Sequence, residues 1–121
     1  MSVFDASALL AFLQGEEGAA TVEAALELGG FCGTANWSEV AQKVRSHGRN
    51  WDLARSLLVS YDLRVEPVTV DDAEWAARRW TPGEGLSLAD RLCMALGQRV
   101  DGDTWTADQA WGVQGRIRQI R

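Results

Sequence analysis

Histidine is nearly absent from this chain: His47 is the only one among 121 residues. Its scarcity argues against a histidine-ligated zinc site and against a Ser-His-Asp triad. Cysteine is scarce too. Cys32 and Cys93 form no C-x-x-C pair, and both lie in apolar runs. They read as buried, reduced thiols of a cytoplasmic protein rather than a disulfide framework. Lysine occurs once, as Lys43, among twelve basic residues, so a lysine-dependent mechanism has one candidate. No apolar run approaches the ~20 residues that a membrane span needs. Met1 leads straight into Val3-Phe4-Asp5 without a basic n-region, against a signal peptide. No Gly-x-x-x-x-Gly-Lys run is present, which excludes a P-loop. An excess of positive charge is missing as well, since the net charge is −5. Simple nucleic-acid binders are basic, but an enzyme whose acidic site is neutralised by divalent metal escapes that argument.

What is present fits one compact domain over residues 1–121. Apolar residues make up 46%, enough for a core without staples. No repeat, low-complexity segment or linker interrupts the chain. Short apolar runs over residues 2–5, 30–34, 63–70, 103–108 and 115–121 read as strands, the third cut by Pro67. Helical spacing marks segments from Ser7, over 19–28, from Thr34 to His47, over 51–61, from Thr69 to Trp80 and from Ser87 to Leu96. In the last, Leu88, Leu92, Ala95 and Leu96 predict a buried face. Strands alternating with helices imply a parallel sheet covered on both faces, an α/β/α sandwich. Arg116, Arg118 and Arg121 are expected to be exposed on the final edge strand. Asp101 and Asp103 look like the start of a calcium loop, but no downstream glutamate completes it.

Four acids stand apart by placement. Asp5 and Asp108 follow strands directly, whereas Glu39 and Asp90 lie near the starts of helices. Each has a plain structural role available. Asp5 and Asp108 can cap the helices that follow them. Asn36 with Glu39, and Ser87 with Asp90, have capping-box spacing. In an open α/β sheet, however, all four positions can converge at the carboxyl ends of the strands. Carboxylates gathered there repel one another unless a cation is present. An all-oxygen cluster suits Mg²⁺ or Mn²⁺ and phosphoryl chemistry.

The run Val3-Phe-Asp5-Ala-Ser7-Ala-Leu-Leu10 resembles the opening of a PIN domain. Trp37-Ser-Glu39-Val40 is similar to that family's glutamate-bearing helix. Leu86-Ser-Leu-Ala-Asp90-Arg-Leu-Cys-Met-Ala-Leu96 resembles its central motif, and Thr104-Trp-Thr106-Ala-Asp108-Gln-Ala-Trp111 its terminal segment. All four occur in the family's order across essentially the whole chain, and the nearest group is the VapC-type toxins of bacterial toxin–antitoxin pairs. The resemblance implies a metal-dependent endoribonuclease whose products carry a 5′-phosphate and a 3′-hydroxyl. Asp5, Glu39, Asp90 and Asp108 match the acidic quartet that holds Mg²⁺ or Mn²⁺. Ser7 and Thr106 match hydroxyl positions beside it, and Arg91, next to Asp90, is the candidate for an RNA contact. A cognate antitoxin and a homodimer are the partners it implies, with the apolar early helices available for either.

Other classes fit less well. A phosphoacceptor signalling domain needs a second acid beside the first-strand aspartate and a late lysine, and Lys43 falls too early. A haloacid-dehalogenase-type phosphatase needs Asp-x-Asp, where this chain has Ser7. A non-catalytic PIN-like module acting through a protein partner would not need the intact quartet.

Overall fold

The computed structural model describes residues 1–121. In chain order the elements are β1 (Ser2–Phe4), α1 (Ala6–Gln14), α2 (Ala19–Leu26), β2 (Gly30–Gly33), α3 (Thr34–Ser46) and α4 (Trp51–Ser60). They continue with β3 (Leu63–Glu66), α5 (Val70–Arg79), α6 (Leu88–Val100), β4 (Asp103–Thr106), a 3₁₀ turn (Gln109–Trp111) and β5 (Ile117–Gln119). The strands form one sheet in the order β3-β2-β1-β4-β5. Every pairing is parallel, with Val3 opposite Phe31 on one side and Thr104 on the other.

Adjacent strand residues point to opposite faces, and β1 shows the consequence. Phe4 joins a core with Leu9, Leu26, Val40 and Leu58, under α1 to α4. Val3 joins a second core with Cys93, Met94, Leu96 and Trp111, under α6 and α5. The result is the three-layer sandwich expected from the alternating pattern. Each large apolar side chain withdrawn fully from water stabilises the fold by about 1.5–3 kcal/mol. Cys32 and Cys93 are free and buried, one in each core, and burial raises both thiol pKa values.

One local expectation is corrected. Leu88 is 57% exposed, and the buried stretch of α6 is the unbroken run Cys93–Gly97. That run is enclosed by the sheet, α5 and α3 together, so burial there is not confined to one helical stripe. Gly97 permits this: an added Cβ would collide with Thr104 Oγ1 on β4. Near the end of the chain, Arg116 pairs with Asp101 and Arg118 with Asp103. The two acids of the calcium-loop-like turn therefore hold the β5 segment against the end of α6 and the start of β4.

Candidate active site

The strand order reverses at β1, with β2 and β3 to one side and β4 and β5 to the other. A crevice opens at such a reversal, outside the carboxyl ends of the strands. Asp5 is the first residue beyond β1 and the N-cap of α1. Its Oδ1 accepts the Ala8 N–H at 2.8 Å. The Ser7 hydroxyl donates to both carboxylate oxygens, at 2.8 and 2.9 Å, and the Thr106 hydroxyl donates to Oδ2 at 2.6 Å. Both oxygens of this buried acid are thus engaged, and capping and facing the crevice are compatible roles.

The same hydroxyls fix the end of β4. Thr106 Oγ1 accepts the Asp108 N–H at 3.0 Å, and Ser7 Oγ accepts the Ala107 N–H at 2.9 Å. Asp108 caps the 3₁₀ turn, its Oδ1 accepting the Ala110 N–H at 2.9 Å. Asp90 and Ser87 form a complete capping box: Asp90 Oδ2 accepts the Ser87 N–H at 2.9 Å, and Ser87 Oγ accepts the Asp90 N–H at 3.1 Å. That reciprocal pair sets the direction in which α6 enters.

Asn36 is not a cap, contrary to the spacing argument. Helix α3 begins at Thr34 directly after β2, with Gly33 as its N-cap. Asn36 therefore lies inside the first turn, 1% exposed. Its amide donates to Glu39 Oε1 at 3.1 Å and to the Ala89 carbonyl at 3.4 Å. It holds Glu39 from three residues back and ties α3 to α6, while its own Oδ1 is buried without a partner. Sequence reasoning missed this positioning role. The available signal was a polar amide beside the apolar face of a helix.

Asp5, Glu39, Asp90 and Asp108 line one cavity of about 230 Å³ together with Ser7 and Lys43. Burial pushes the Asp5 carboxyl up to about 6, with a contribution from the Asp90 charge and against the hydrogen bonds from Thr106, Ala8 and Ser7. Glu39 is raised by desolvation and by Asp90, against the bond from Asn36. Its side chain is exposed to solvent.

The donor chemistry fits a hard divalent cation, because every acidic donor is a carboxylate oxygen. The fit is not that of a closed cage, since no three acidic, histidine or cysteine side chains are grouped to grip one ion. Asp90, Asp108 and Glu39 each have one oxygen committed to a local hydrogen bond. The other oxygen of each accepts no hydrogen bond and remains free to ligate.

Arg91 departs from its expected place at the rim. Its Nη1 donates to the Ala76 carbonyl at 2.7 Å, tying α6 to α5, and it does not line the acidic cavity. The basic residue in the cavity wall is Lys43.

The chain is thus a parallel α/β sandwich with four acids lining a cavity at its switch point. The PIN domain model matches residues 2–113, and the chain belongs to the PIN domain family. A solved toxin–antitoxin complex from Klebsiella pneumoniae contains a similar chain, with a TM-score of 0.79 and 18% identity. The match covers 100% of this chain and 98% of that one; at this identity it shows a shared fold. No curated protein matches the sequence.

Proposed function

We propose that this chain is a metal-dependent endoribonuclease and the toxin half of a toxin–antitoxin pair. The observation that carries the reading is the shared cavity: four acids distant in sequence line it, with Asp5 held by Ser7 and Thr106 at its buried end. Membership of the PIN family supports nuclease chemistry, and the Klebsiella pneumoniae complex supports a toxin with an antitoxin partner.

Asp5, Glu39, Asp90 and Asp108 are the residues that would hold Mg²⁺ or Mn²⁺. A divalent cation bound there would activate water and stabilise charge on the attacked RNA phosphate. The chain's own groups prepare the place. Ser7 and Thr106 donate to Asp5 and so favour its ionised form, and Thr106 also fixes the backbone of Asp108. Asn36 orients Glu39, and the Ser87 cap orients Asp90.

The partner reading draws support from an apolar groove of about 370 Å³ between α1, α3 and α4. Leu53 and Leu57 line it and are 69% and 43% exposed. An apolar antitoxin segment would cover them. The reading also includes a homodimer and residence in the cytoplasm.

The test is to incubate the purified chain with structured RNAs in Mg²⁺ or Mn²⁺ and then in EDTA. The proposal expects metal-dependent cleavage leaving 5′-phosphate and 3′-hydroxyl ends. Products with cyclic phosphates, or cleavage indifferent to EDTA, would refute it.

A further inference from the structure

We infer that Lys43 binds a phosphate of the RNA strand at the mouth of the acidic cavity, acting as a substrate contact beside the carboxylates. The inference rests on the ribonuclease reading above. Lys43 follows Glu39 by four residues on α3, so the two share a helix face. It is the one basic side chain lining the acidic cavity. Lys43 and Glu39 also line a second groove, of about 210 Å³, whose other walls are Gln42 and Ser46. Those four positions form a single polar stripe along the exposed face of α3. Lys43 thus belongs to both spaces and stands where the cavity opens into the groove.

The ordinary role for a lysine at this spacing is an ion pair with the preceding glutamate, and the structure does not have it. The ion pairs of this chain are made by Arg79, Arg99, Arg116 and Arg118. The Lys43 ammonium donates no hydrogen bond within the chain, and Arg91 is committed to α5.

A free cation at this point answers an electrostatic problem. RNA is a polyanion, the chain carries −5 overall, and the cavity wall holds four carboxylates. A divalent cation on the carboxylates would offset part of that charge at the cavity, and a fixed cation beside it attracts the next phosphate along the strand. Lysine suits the task as a compact charge on a flexible stem, contacting the backbone of any sequence. The strand would then lie along the polar stripe of α3, with one phosphate on Lys43 and a neighbouring phosphate at the carboxylates.

The test measures RNA binding separately from cleavage. In an Asp90→Asn background with Mg²⁺, fluorescence anisotropy follows a short mixed-sequence oligoribonucleotide across a salt series. Lys43→Ala should weaken binding about two- to fivefold, the size of a single exposed charge contact. It should also flatten the slope of log K against log salt by about 0.7, the value for one phosphate contact on a single strand. Lys43→Arg should restore both, and Arg45→Ala, a charge on the same helix outside both spaces, should change neither. Matched melting curves separate a binding loss from a folding loss. If the otherwise wild-type chain cleaves RNA while Lys43→Ala binds with unchanged affinity and slope, the role of Lys43 is overturned and the ribonuclease reading stands. If the wild type neither binds nor cleaves RNA, both fall together.

Discussion

The hydroxyl of Thr106 stands 2.6 Å from Asp5 Oδ2, joining the ends of β4 and β1 across 101 positions of sequence. Thr106 Oγ1 in turn accepts the Asp108 N–H, so one side chain sets the geometry of two acids. Thr106→Val keeps the shape and removes both bonds. Cleavage should fall about 10- to 100-fold, the usual loss when a group supporting a metal ligand is removed, while Thr106→Ser retains most activity. Initial rates at saturating Mg²⁺ check this; a Val variant as fast as wild type would show the network to be dispensable.

Asp5 makes a prediction about stability with a definite sign. Its carboxyl is raised from 3.8 to about 6 in the fold. Between those pH values the native state keeps a proton that the unfolded chain has lost. Stability contributed at this site therefore falls as pH rises through that window and levels off above about 6. The total is on the order of 3 kcal/mol at neutral pH. Urea unfolding in EDTA should show this downward slope in the wild type and its loss in Asp5→Asn, which gains relative stability while losing activity. An unchanged slope in the variant would remove Asp5 as its source.

Divalent cations should raise the melting temperature near neutral pH, by relieving repulsion among the four acids and by preferring the folded state. The gain should shrink below about pH 6, where protons compete for Asp5, and should be reduced in Asp90→Asn. Thermal melts in Mg²⁺, Mn²⁺ and EDTA measure it. No shift at millimolar metal would count against a common binding site.

Asn36→Ala separates orientation from stability. The substitution breaks the bonds to Glu39 and to Ala89, but it also removes the unpartnered Oδ1. Loss of a buried hydrogen bond costs about 1–3 kcal/mol, and relief of the orphaned acceptor places the expected cost at the low end. Activity should fall about tenfold as Glu39 loses its fixed position. Urea unfolding alongside cleavage rates tests both halves, and a large stability loss with full activity would reverse the assignment.

Much of this architecture was legible because its signals are local. Ser87 with Asp90 and Thr69 with Asp72 form capping boxes at the positions their spacing marks. The strand ends carrying Asp5 and Asp108 follow from short apolar runs closed by an acid. The misread residues are those whose environment is tertiary. Leu88 has helical spacing, but it projects beyond the enclosed middle of α6. Arg91 adjoins Asp90 in sequence, yet it leaves the helix toward α5, where the Ala76 carbonyl takes it. Asn36 resembled a cap because the spacing hid the fact that α3 begins at once after β2. Lys43 carries no local signal of a site role, and only the approach of α3 to the β1–β4 crevice brings it to the cavity.

The central claim is that the four acids form one working site for cutting RNA. Its most direct test compares RNA cleavage by wild type and Asp90→Asn, purified in parallel and assayed in Mn²⁺ at equal protein concentration. The account predicts cleavage by the wild type and its near-complete loss in the variant, with the variant still folded by circular dichroism. Equal cleavage by both proteins would point to a contaminant and contradict the assignment of the site.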